Sequence, residues 1–189
     1  MQASDIKWYL TGGAANTDPK ESRGGDKNTT TGLISSPYAV FDNVSAVENA
    51  AAIVDEYRCI VMKNGHATES ITNLKAKIRA SSNLPQMVQC AWEVTDTDED
   101  GDEDSWQIKR TTEDLAPTPG ANLSSWSAAS GTSTGSEVVP RYNSVDDPGR
   151  IVPAGGYIRL WLLRRMGGGT DAANVKQATV TITGDYYTP

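Results

Sequence analysis

Hydrophobic and polar residues alternate with a period of two through most of this chain. Ile6, Trp8 and Leu10 alternate with Lys7 and Tyr9, predicting a first strand that stops at Gly12-Gly13. Over 56–62, Tyr57, Cys59 and Val61 take one face and Arg58, Ile60 and Met62 the other; both faces are largely apolar, as in a central strand. Over 70–79, Thr72, Leu74, Ala76 and Ile78 point inward while Asn73, Lys75, Lys77 and Arg79 meet water. The inner sets continue with Val88, Cys90, Trp92 and Val94 in 87–94, and with Ile158, Leu160 and Leu162 in 157–164. Ala178, Val180 and Ile182 form the last, in 178–183, with Thr outside. Alternation of this kind, rich in Val, Ile, Thr, Tyr and Trp, marks half-buried antiparallel strands.

Helix signal is scarce. Ser45-Ala46-Val47-Glu48 has the capping-box pattern before Ala50, Ala51 and Ala52, enough for about two turns or for a loop. Short strands with almost no helix predict one mainly β domain over 1–189, an antiparallel β-sandwich or jelly-roll-like barrel with long loops. Residues 12–32 and 111–150, rich in Gly, Ser, Thr and Pro, read as long loops or arms that gain order by lying on neighbours. Residues 95–105 read as the acidic tip of a hairpin between 87–94 and 106–110.

Composition adjusts this picture in two places. Leu, Ile, Val and Phe number 33 of 189, about 17%, under the ~20% level associated with disorder. Five Trp and seven Tyr supply the missing core area. The formal net charge is −7, and the nine residues 96–104 hold seven acids and no base, so they account for all of it. The remainder is a nearly neutral domain. Neither a specific nucleic-acid partner nor a membrane partner is expected. The start, MQASDIKWYL, has no basic stretch followed by an apolar run, and no apolar run nears the ~18 residues of a spanning helix. Cys59 and Cys90 read as small buried hydrophobes, with a cross-strand disulfide open if their strands pair.

Candidate chemistry is sparse. Asp96, Asp98 and Asp100 with Gly101 begin like an EF-hand loop, whose side chains converge on one ion. The match then fails, because Gln107 stands where the bidentate Glu belongs and the flanks read as strands. The favoured reading is a solvated acidic loop; the alternative is a looser calcium site formed by Asp96, Asp98, Asp100 and the carbonyl of Asp102. Gly131-Thr132-Ser133-Thr134-Gly135 spells a nucleophile elbow but lies in a small-residue loop, and the single His66 precedes it. His66 itself sits after Asn64-Gly65 in what reads as a hairpin turn. Arg159, Trp161, Arg164 and Arg165 read as packing plus surface charge on a strand, with a small basic–aromatic patch as the alternative. No catalytic group has a plausible partner, so no enzyme is expected and no cofactor beyond that calcium option.

Three stretches in order are DIKWYLTGGAANTDP, then YRCIVMKNGHAT followed by ITNLKAKI, and finally PAGGYIRLWLLRRMGGGTDAANVKQATVTITGD. Together they are similar to a group of small virion structural proteins of tailed bacteriophages, and they span about 70 of the 189 residues. The resemblance implies a β-sandwich virion component without catalytic residues, assembled in the host cytoplasm. It leads to a capsid decoration or cement protein that binds the major capsid protein and self-associates, for instance as a trimer. The alternatives are a tail, collar or baseplate component, and a receptor- or carbohydrate-binding module with Trp106 or Trp126 stacked on sugar beside a calcium loop.

Overall fold

Seven strands account for nearly all regular structure among the residues that the computed structural model describes. It describes residues 5–25, 27–28, 40–41, 54–80, 84–93, 124, 126–131, 133–140, 151–166 and 178–187. They are β1 (Ile6–Leu10), β2 (Val54–Asn64), β3 (Ser70–Ala80), β4 (Leu84–Glu93), β5 (Ser127–Gly131), β6 (Tyr157–Met166) and β7 (Ala178–Tyr187). A five-stranded sheet in the order β1-β2-β6-β4-β5 faces a two-stranded sheet of β3 and β7, and every pairing is antiparallel. The mainly β, sandwich architecture expected from the alternation is what forms. The proposed helix at 45–52, the strand at 106–110 and the acidic tip at 95–105 lie outside the described residues.

The main core lies between the sheets. Ile60 and Met62 of β2, Ile158 and Leu160 of β6, and Cys90 and Trp92 of β4 meet Ile71, Leu74, Ala76 and Ile78 of β3. The opposite face of the large sheet is also covered: Tyr57, Cys59, Trp161 and Leu163 form a second buried cluster, with Trp126 packed against it. β2 is thus central, as its two apolar faces predict. Burying a side chain of this size contributes about 1.5–3 kcal/mol, and both faces of β2 and β6 draw on it.

Four local departures have physical causes. In β3 the inward residue at the start is Ile71, 2% exposed, and not Thr72. The pairing with β7 shifts between Thr72 and Lys75, and Asn73 takes φ +50°, so a bulge reverses the alternation before Leu74. The Asn73 side chain donates to Asp185 at 2.8 Å and holds that conformation. The second departure is the turn after β2. It is no hairpin, because β2 and β3 belong to different sheets. The buried Asn64 amide donates to the carbonyls of Glu69, Val152 and Pro153, which closes a corner between the sheets.

The third departure falls in 111–150, expected to be without strands. Ser127, Ala128 and Ala129 make β5 against β4. The chain then crosses to the other sheet, where Thr134 and Val138 bridge to β3. Fourth, residues 11–25 and 27–28 are largely irregular but folded onto their own sheet. The Ser22 carbonyl accepts from Cys59 N, and Thr11 Oγ1 donates to the Cys59 carbonyl at 3.0 Å. Arms that find order only on a neighbour are therefore the wrong description of the described parts of these two segments.

The crossing after β5 depends on one glycine. A Cβ at Gly135 would lie 2.8 Å from the Ala128 carbonyl oxygen and 2.9 Å from its nitrogen. Both are backbone atoms that no rotamer change can move. Gly135→Ala is expected to cost about 1–3 kcal/mol in urea denaturation, the usual size for overpacking, without changing the m-value.

Candidate interaction surface

Charged residues in this fold are mostly paired across strands. Asp55 stands opposite Arg165, and Glu56 opposite Arg164, on the two faces of the β2–β6 ladder. Arg165 binds Asp55 through two contacts of 2.6 and 2.7 Å, and both Nε and Nη2 of Arg164 donate to Glu56. Phe41 lies between the guanidinium groups of Arg164 and Arg58, at 4.9 and 5.5 Å from its ring centre. The basic residues of β6 are thus absorbed into ion pairs and packing, and the surface patch considered as an alternative does not form.

The deepest polar group sits on the outer face of the large sheet. Arg159 is fully buried and lies 3.4 Å from Glu93, which also accepts from the indole N–H of Trp161. Arg159 donates in addition to the Gly25 carbonyl at 2.7 Å, tying the 11–28 segment to β6. Nearby, burial pushes the Cys59 thiol far above its ordinary range; Arg159 opposes that shift and Glu93 adds to it. The Cys90 thiol is pushed up to about 12, also by burial. Cys59 and Cys90 are free, on opposite faces of the sheet with β6 between their strands, so they do not form a disulfide. Neither is a thiolate nucleophile at neutral pH.

The remaining sequence candidates fall as follows. His66 Nδ1 accepts from the backbone N–H of Glu69 at 2.9 Å and of Thr68 at 3.3 Å, so the ring organises its own loop. Ser133 is exposed, and the chain after it runs extended along β3, which is not the strand–turn–helix context of a nucleophile elbow. Trp126 is half-buried and edge-on to Tyr57, 6.1 Å between ring centres, so its ring is engaged within the protein. Asp96, Asp98, Asp100, Asp102 and Trp106 lie outside the described residues. Among the described residues no cluster of three or more His, Cys, Asp or Glu is placed to hold a metal. No helix among them is long and apolar enough to cross a membrane.

What the described residues do present is a strand with one edge unpaired among them. Among the described residues β7 pairs only with β3, whereas the other edge of β3 is covered by bridges to Thr134, Val138 and Val152. β7 runs for ten residues and carries no Lys, Arg or Pro. Natural sheet edges are usually blunted by such residues or by shortness. Its far end exposes Tyr186 and Tyr187, at 49% and 54%. Sequence alternation located this strand but not its place at an edge, because neighbour order depends on long-range pairing. Comparison with family models, with curated proteins and with solved structures gives no match.

The Arg159–Glu93 pair makes a sharp prediction about stability. Glu93→Gln removes the carboxylate charge that lies 3.4 Å from the fully buried Arg159 guanidinium and is expected to cost about 3–5 kcal/mol in chemical denaturation. Asp55→Asn, at the outward-facing Arg165 pair, is expected to cost no more than about 1 kcal/mol.

Proposed function

We propose that this chain is a non-enzymatic structural component of a tailed-phage virion, a capsid decoration or cement protein that binds the major capsid protein. The observation that supports the reading is the open edge of β7 with its two exposed tyrosines. An edge strand offers a row of main-chain donors and acceptors to an added strand, and exposed tyrosines supply contact area at low entropic cost. A rigid sandwich buried on both faces of its large sheet suits a subunit that must hold its shape on a particle. The buried charged residues Arg159, Glu93, Arg164 and Glu56 are engaged in cross-strand contacts and Asn64 in corner bonds, an arrangement directed to rigidity more than to turnover. A tail, collar or baseplate position is the other location for the same chemistry, and copy number separates the two.

Counting the chain in purified virions by quantitative mass spectrometry tests the reading. On the order of hundreds of copies places it on the capsid, and about a dozen or fewer on the tail, because copy number follows the symmetry of the assembly. Absence from the particle overturns the proposal. Tyr186→Lys with Tyr187→Lys is expected to lower binding to particles stripped of the protein at least about tenfold while leaving the melting temperature unchanged.

A further inference from the structure

We infer that Asn64-Gly65 is a self-modification site, a succinimide-forming pair that the fold holds closed and that is released when β1 leaves its place. Asn-Gly is the dipeptide most prone to this chemistry, because no side chain shields the glycine nitrogen, and it occurs once in this chain. In the reaction the Gly65 nitrogen attacks Asn64 Cγ and forms an N–Cγ bond. The Cγ–Nδ2 bond breaks, and ammonia leaves with the proton that Gly65 gives up. Water then opens the cyclic imide at either carbonyl, leaving aspartate or isoaspartate at position 64. Water is the one co-reactant, and no electrons are transferred.

The fold calls for both residues of the pair. A Cβ at Gly65 would lie 2.7 Å from the Asp5 carbonyl oxygen, a backbone atom, so glycine is what lets the chain entering β1 approach this closely. Asn64 is fully buried, and its amide donates to the carbonyls of Glu69 at 2.7 Å, Pro153 at 3.0 Å and Val152 at 3.1 Å. Its Oδ1 accepts from the His66 N–H at 3.1 Å. A side chain that donates twice and accepts as well is an amide, and a carboxylate cannot replace it. Packing at the corner thus selects the one pair that chemistry makes labile.

Main-chain pairing holds the reaction off. Gly65 N donates to the Asp5 carbonyl at 2.6 Å, which occupies the attacking nitrogen. The Asn64 carbonyl accepts from Gly155 N, and Asn64 N donates to the Gly156 carbonyl, both at 2.9 Å. Closing the ring means turning Gly65 N toward Cγ about the Asn64 Cα–C bond, which breaks the bonds to Asp5 and Gly155 together. The weakest of these holds is β1, five residues at the outer edge of the large sheet, with Ile6 opposite Asn64. Short edge elements open locally at a lower free energy than the whole domain. The product cannot return to the native corner. A carboxylate at 64 has no N–H for the three carbonyls, and its charge would be buried among their oxygens. Isoaspartate also lengthens the main chain by one carbon and disturbs the register with β1. Departure of β1 is thereby made irreversible, and the corner between the sheets is lost with it.

Peptide mapping by mass spectrometry of the full chain, held in mildly alkaline buffer, reads conversion at Asn64 directly. The native wild type is expected to convert at least about tenfold more slowly than the same chain in urea, a comparison that needs no variant. Trp8→Ala removes a β1 side chain that packs on the core and is expected to raise the native rate at least about tenfold. Gly135→Ala destabilises the fold at β5, away from β1, and is expected to leave the native rate within about twofold. Asn64→Asp, which places the product's carboxylate at the corner, is expected to lower the melting temperature by at least about 4 °C. A native rate equal to that in urea, or an Asn64 that stays intact in urea, overturns the inference. So does a folded Trp8→Ala without effect, a Gly135→Ala as fast as Trp8→Ala, or an Asn64→Asp that melts with the wild type.

Discussion

A one-residue slip between β2 and β6 would turn this protein inside out. Their register sets Ile60 beside Leu160 on the inner face and Cys59 beside Trp161 on the outer one. Because side chains alternate with a period of two, a slip would send Trp161 and Arg159 into the sandwich and Leu160 out of it. It would also part Asp55 from Arg165 and Glu56 from Arg164. The outward-facing Asp55–Arg165 pair contributes little by itself, whereas parting the largely buried Glu56 from Arg164 leaves a buried charge uncompensated. Placed on both faces of one ladder, the two pairs disfavour the wrong register more than they strengthen the right one.

From that register follows the unequal build of the molecule. The large sheet is buried on both faces, inward by the β3–β7 pair and outward in part by the segment after β1, held to Arg159 through Gly25. Among the described residues the small sheet buries only its inner face. Its outer face and its β7 edge are where the protein has main-chain groups and tyrosines to offer. Rigidity and contact surface thus reside in different layers, which suits a subunit whose work is to be held by neighbours.

Much of the fold was legible because alternation is a local signal. All the strands but β5 can be read from inward apolar sets, and the central position of β2 from its two apolar faces. β5 leaves no alternation in the sequence, because Ser127-Ala128-Ala129 has no large apolar residue. Its place comes from close packing that a side chain at Gly135 would obstruct, and in the sequence Gly135 belongs to a G-x-S-x-G triplet with no bearing on that packing. The Asn73 bulge hid the inward role of Ile71, since one extra residue reverses parity without a marked change in composition. Asn64 read as a turn residue and proved to be a corner with three accepting carbonyls, two of them about ninety residues away in sequence. The interaction surface was the least legible part. Lys75, Lys77 and Arg79 were correctly read as facing water, but which strand lies beside them and which edge stays open are long-range facts.

The central claim is that a doubly buried β2–β6–β4 layer carries a second layer with an open edge. Residue-resolved amide hydrogen exchange tests it most directly. Amides of β2, β6 and β4 are expected to exchange last, and only through global unfolding. Along β7, amides bonded to β3 should be protected, and those pointing outward should exchange rapidly. Uniform protection along β7, or β2 and β6 exchanging as fast as β7, would contradict the account.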